Sequence, residues 1–298
     1  MSDSPQSNQR TGHLAMLLFA VLIAGSFSIG RTAVQLVGPG ALTVMRFILG
    51  SALMGTAAAL SLRRWPRLPA APWRFLLLGA LMGFYFIAMF EALKITDPVS
   101  TGAVFTLMPL MSAGFGWLFL KQAPRPFVLA CLIVAGAGAV WVIFDGDVEA
   151  LQAFAVGKGE VIFFFGCVAH AAYSPLVRLL NRGEPVAEFT FYTLAGSLIA
   201  VSLYGARETL ATDWASMPAI VWIAVGYLSV FTTGITFFLL QFSSMRLPAA
   251  KVMAYGYLTP VFIILIEGIA GHGWASFSVV AGALVIVAAL AALVAARD

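Results

Sequence analysis

Charge is what this sequence has least of. Asp, Glu, Lys and Arg make up 10% of its residues and hydrophobic residues 61%, whereas a soluble domain carries roughly 25% charged residues. A water-soluble fold is excluded. Cysteine is almost as scarce: Cys131 and Cys167 stand inside apolar runs with no partner at metal or redox spacing, and read as small packing residues. His13, His170 and His272 are the only histidines and lie far apart. No metal cluster and no nucleophile with its base is assembled from them, and no nucleotide-binding loop is present. The expectation is therefore no catalytic residue, no metal, no cofactor and no enzyme. The net charge of +4 does not point to nucleic acid either. Basic residues scattered along an apolar chain are those that orient membrane loops.

Apolar runs are what the sequence has in abundance. A helix needs about 20 residues to cross roughly 30 Å of hydrocarbon. Runs of that kind occur near 14–34, 41–61, 73–93, 98–120, 126–144, 160–180, 187–205, 218–241, 248–268 and 274–295. These are ten candidate spans with short connections. Residues 1–12, rich in Ser, Gln and Asn, read as a disordered cytoplasmic tail. Lys and Arg near span ends accumulate on the cytoplasmic side. One side collects Arg10, Arg63, Arg64, Arg67, Arg74, Lys121, Arg125, Arg178, Arg182, Arg246, Lys251 and Arg297, twelve of the 17 basic residues. Both termini are expected in the cytoplasm, with the chain multi-pass in a bacterial inner membrane and bathed by lipid.

The chain also repeats itself. A shift of 151 residues lays Ala103, Leu107 and Pro109 over Ala254, Leu258 and Pro260. A shift of 146 lays Pro39, Ala41 and Gly50-Ser51 over Pro185, Ala187 and Gly196-Ser197, and Phe27-Ser28 over Tyr173-Ser174. Two five-helix repeats follow, over 13–145 and 158–296. Five is odd, so the second repeat enters the membrane inverted. The expected fold is all-α and integral to the membrane, ten transmembrane helices in two inverted repeats around a central cavity. That plan is common among secondary transporters working by alternating access. A passive channel built by gene duplication is the alternative of a different class.

"GSFSIGRTAV" in the first span, "RFILGSAL" in the second, proline-centred fourth and ninth spans and "AAKVMAYGYLTPVFIIL" together resemble the drug/metabolite transporter superfamily, in particular its ten-helix EamA-type members. The resemblance covers the chain after residue 12. Within that group the chain is similar to bacterial exporters of aromatic and other amino acids, the YddG type. It implies a basket of helices with a cavity lined by spans 1, 3, 4, 6, 8 and 9. One departure stands out: Leu120-Lys121 and Gly271-His272 occupy places where members often carry Gly-Glu.

Particular residues then stand out by depth. Pro109 and Pro260 each remove a helical hydrogen bond at mid-membrane, as ordinary kinks or as walls of a water-filled cavity. Lys251 either snorkels or faces the inner vestibule, placed for a substrate carboxylate. Phe27, Ser28, Tyr85, Phe86, Phe105, His170, Tyr173, Thr233 and Tyr255 fall in central thirds, where aromatic faces with few hydroxyls suit a flat apolar side chain. Arg31, Arg46, Glu91 and Glu267 lie toward the outer side. They are either interfacial or paired across an outer gate, Glu91 or Glu267 meeting Arg46 or Arg31. Gly79 and Gly83 form a small-xxx-small pair suited to close helix packing. The functional expectation is a monomeric secondary transporter exporting amino acids, aromatic and other apolar ones. The alternative cargo is another small metabolite or a hydrophobic drug.

Overall fold

The computed structural model describes residues 5–67, 69–96, 98–269 and 274–295, and every regular element among them is helical. The first half comprises α1 (Pro5–Leu36), α2 (Pro39–Leu62), α3 (Trp73–Ile95), α4 (Pro98–Phe105), α5 (Met108–Leu120) and α6 (Pro126–Ile143). A short helix, α7 (Val148–Gln152), lies in the link between halves. The second half comprises α8 (Lys158–Leu180), α9 (Val186–Ala211), α10 (Ala219–Ser229), α11 (Thr236–Ser244), α12 (Ala249–Ala254), α13 (Thr259–Ile269) and α14 (Phe277–Ala295).

Local sequence explains most of these boundaries. Proline opens α2 and α6, where its missing N–H costs no helical bond. Arg63 and Lys121 close α2 and α5 in the left-handed region, at φ 51 and 56. The Asp147 carboxylate caps α7 by accepting from the N–H groups of Glu149 and Ala150 at 2.8 and 3.1 Å. The segment read as a tail is helical from Pro5 onward, because α1 continues toward the N-terminus past its apolar run.

Nine helical stretches among the described residues are long and apolar enough to cross a membrane, and α1, with 32 residues, is a tenth helix of sufficient length. The fold is that of an all-helical membrane protein. Its outward faces carry large apolar side chains such as Leu203, Leu210 and Phe277, as a lipid environment allows.

Spans four and nine are both broken in the middle. α4 gives way to a turn at Thr106 and Leu107 before α5 resumes with Pro109 in its first turn. α12 tightens into a 3-10 turn, Tyr255–Leu258, before α13 resumes around Pro260. The cause is shared: a proline ring clashes with the carbonyl four residues earlier and offers no N–H.

Helix packing relates the halves. α2 lies along α9, α6 along α14, and α5 against α12. α3 packs on α8 and α9, while α11 packs on α1, and α10 with the segment after it packs on α2. α5 also packs on α8, and α13 on α1. Exchanging the first span with the sixth, the second with the seventh, and so on, maps this set of pairs onto itself. Two copies of one five-span unit, facing each other, produce that pattern.

Candidate substrate cavity

Because α3 packs along α8, their aromatic residues meet at mid-length. The rings of Tyr85 and His170 stack with centroids 4.5 Å apart, 19° from parallel. Tyr173, one turn beyond His170 on the same face, continues the stack at 6.5 Å. Phe237 of α11 stacks on Phe86 at 6.2 Å and meets Phe47 of α2 edge-on at 5.8 Å. Both halves thus supply the cluster. Several of its polar atoms are engaged: His170 Nδ1 is 3.1 Å from Met108 Sδ. Gln241 Nε2 donates to the Tyr173 hydroxyl at 2.7 Å, and Gln241 Oε1 accepts from Thr190 at 2.6 Å.

The space left at this level is small. One void of about 20 Å³ is bounded by Tyr85, Phe86, Phe105, His170 and Phe237. A second, also about 20 Å³, is bounded by Ser26, Arg46, Tyr85, Phe86 and Thr232. Each has room for about one water. The open central cavity expected from the sequence is therefore contracted here, because the aromatic rings close on one another.

The roomy cavity lies at one end of the molecule. It holds about 630 Å³ between the α5–α6 connection, the end of α8 and the α11–α12 connection. Lys121, Arg125, Arg178, Arg246 and Lys251 line it, with Gln9 and Gln122 and no acidic side chain among its described walls. Lys251 is 3% exposed, so it belongs to the cavity wall rather than to a lipid-facing surface. Another cavity, about 250 Å³ and mostly apolar, sits where spans four and nine break, lined by Gly102, Phe105, Thr106, Tyr257, Thr259 and Pro260. The Tyr257 hydroxyl and Thr259 Oγ1 are buried without a hydrogen bond.

Arg46 departs from expectation. It is 1% exposed, and its guanidinium carbon lies 4.1 Å from the Phe86 ring centroid. Nε donates to Thr233 Oγ1 at 2.8 Å; Nη2 donates to the Thr232 carbonyl at 2.9 Å and to Thr232 Oγ1 at 3.1 Å. Those acceptors lie in a π-helical segment, Val230–Ile235, joining α10 to α11. A π turn displaces the regular ladder, and the guanidinium bonds to a carbonyl within it. The expected pairing of Arg46 with Glu91 does not form: Glu91 accepts from Lys94 at 3.1 Å and from the Tyr204 hydroxyl. Lys94 is one turn away on the same helix, which explains the preference.

The profile of the EamA-like transporter family matches residues 10–144 and again residues 157–295. The chain belongs to the EamA-like transporter family. It is a multi-pass membrane transporter and not an enzyme. At 26% identity it is similar to the uncharacterized transporter YyaM of Bacillus subtilis (strain 168), covering 94% of this chain and 92% of that one. The aromatic amino acid exporter YddG of Ancylobacter novellus is 27% identical, again with 94% and 92% covered. A solved crystal structure superposes with a TM-score of 0.75 at 24% identity, over 97% of this chain and 96% of the other. That likeness concerns the fold.

Within this EamA-family structure the sequence-nominated residues separate into groups. Tyr85, Phe86, Phe105 and His170 bound one central void, with Tyr173 stacked beside it. Thr233 holds Arg46. Lys251 lines the basic cavity and Pro260 the apolar one, while Pro109 is buried at the start of α5. Tyr255 is engaged elsewhere, its hydroxyl 2.9 Å from His13 Nδ1. The side chains of Phe27, Ser28, Arg31 and Glu267 lie outside the described residues. Sequence reading missed Gln241 and the service of Thr232 to Arg46. The visible signal was the polar run Thr232-Thr233-Gly234 inside an apolar span.

Proposed function

We propose that this protein is a secondary transporter exporting amino acids, aromatic and other apolar ones, across a bacterial inner membrane by alternating access. The observation that carries the reading is the Tyr85–His170–Tyr173 stack, to which both halves contribute. Stacked rings with a few fixed hydroxyls favour a flat apolar side chain. The basic cavity is the cytoplasmic vestibule, since twelve of the 17 basic residues fall at its end of the spans. Its cations, Lys251 among them, raise the local concentration of carboxylate-bearing solutes.

Alternating access gives the two repeats related packings that open to opposite sides. The second repeat is inverted, both termini are cytoplasmic, and one copy of the chain is the working unit. The broken spans four and nine supply hinges at the level of the aromatic stack, because a helix interrupted before proline bends there at lower cost than an intact one.

Counterflow tests the proposal. Proteoliposomes loaded with unlabelled phenylalanine and given a trace of labelled phenylalanine outside should accumulate label transiently above equilibrium. Tyr85→Ala, which removes one stacked ring, should reduce the initial rate about tenfold, the upper range for an aromatic pair. Folded protein without accumulation rejects aromatic amino acids as cargo.

A further inference from the structure

We infer that Arg46 is the group that holds the negatively charged end of the substrate, a carboxylate, while Tyr85 and Phe86 receive its apolar part. The inference deepens the amino acid reading and rests on it for the aromatic part alone. A guanidinium cannot be deprotonated in a protein, so Arg46 brings a full positive charge into the interior at 1% exposure. Ionisable side chains at such depth are found paired or facing a hydrated path. Among the described residues every partner of Arg46 is neutral: two threonine hydroxyls, one backbone carbonyl and the faces of Phe86 and Phe47. Of the two acids expected near it, Glu91 is occupied by Lys94 and Tyr204, and the Glu267 side chain lies outside the described residues. One half of an ion pair is thus built and its other half is not among the described residues of this wall.

The geometry also says where the missing anion goes. Hydrogen bonds fix Nε and Nη2, which sets the plane of the guanidinium, and Arg46 borders the small void that Ser26, Tyr85 and Phe86 also line. That void adjoins the one beside His170 and shares Ile23, Tyr85 and Phe86 with it. A molecule with a carboxylate at one end and a flat apolar group at the other spans the two once the rings part. A planar guanidinium of fixed orientation suits a carboxylate better than a flexible ammonium does. Lys251, among four other cations in a wide vestibule, gathers anions without orienting them. The bland reading makes Arg46 a strut between α2 and the π segment. A strut predicts changed stability with no change in preference between charged and uncharged ligands.

Competition in counterflow separates these readings. Matched inhibitors are phenylalanine against phenylalaninamide and 3-phenylpropionate against 2-phenylethylamine, with wild type, Arg46→Gln and Arg46→Lys. The expected result is that the carboxylate of each pair competes at least tenfold better in wild type, that Arg46→Gln brings the ratio near one, and that Arg46→Lys falls between. A folded Arg46→Gln protein that keeps the wild-type ratio overturns the inference. Should that variant fail to fold, the wild-type ratio and Arg46→Lys decide: an amine or amide competing as well as its carboxylate overturns it. Should phenylalanine not be carried at all, a panel of aliphatic carboxylates is run. Arg46-dependent competition by those acids rejects the aromatic reading and upholds Arg46, and competition by none rejects both.

Discussion

At the residue scale, Arg74 shows how a charge that reads as a loop cation becomes structural. It is fully buried at the start of α3 and donates to the carbonyls of Ala70, Ala71 and Leu180 and to Glu184 Oε1, the last at 2.6 Å. Partial burial works to raise the Glu184 carboxyl pKa, but hydrogen bonds from Arg74 and from the Arg182 N–H outweigh it, leaving the group below its ordinary 4.5. A carboxyl that ionises more easily when folded stabilises the fold above its unfolded pKa and ceases to as pH falls through the folded value. Melting of the detergent-solubilised protein between pH 6 and pH 3 should therefore show an acid-side loss in wild type that Glu184→Gln lacks. Equal acid sensitivity of the two proteins contradicts the assignment. The partners of such charges were not legible in the sequence. Glu91 and Arg46 were one of the pairings nominated by depth, yet a side chain one turn away and a π-segment carbonyl supplied better geometry. Such a carbonyl becomes an acceptor through backbone conformation, which residue type does not announce.

At the element scale, close helix crossings explain why small residues recur. A Cβ added to Gly79 would stand 2.3 Å from the backbone of Gly196 and Ser197 on α9, so the helices could not keep their distance. A Cβ on Gly114 meets nothing within 4 Å. Gly79→Ala should cost at least ~1–3 kcal/mol, the usual range for overpacking, read as a fall in melting temperature. Gly114→Ala should be neutral or gain about 1 kcal/mol through helix propensity. Equal behaviour of the two variants would refute the crossing argument. The small-xxx-small spacing of Gly79 and Gly83 made this crossing readable in advance. The breaks before Pro109 and Pro260 were equally readable, because proline acts on its own chain. The contraction of the aromatic centre was not: aromatic residues pack with one another as readily as with a substrate, and composition does not distinguish the two.

At the scale of the whole molecule, the repeat turns one cavity into a statement about a second. The basic vestibule lies among the end of the sixth span, the connection between four and five and the connection between eight and nine. Under the exchange that maps the packing onto itself, the counterpart lies among the end of the first span, the connection between nine and ten and the connection between three and four. The proposed alternating access opens that second mouth when the first closes. The repeat was visible in sequence through a few matched prolines, glycines and alanines, because helix starts and crossings tolerate few alternatives. Which end of the molecule holds the open cavity was not visible in the sequence.

Distances between paired spin labels test alternating access most directly. One pair, at Ala123 and Leu179, reports the basic vestibule; its counterpart, at Leu36 and Phe277, reports the opposite end. All four residues are exposed, and Cys131 and Cys167 are buried. The account predicts that a transported substrate shifts the two distributions in opposite senses, the vestibule pair shortening as the other lengthens. Distributions that stay fixed, or that lengthen together as in a continuous pore, contradict it.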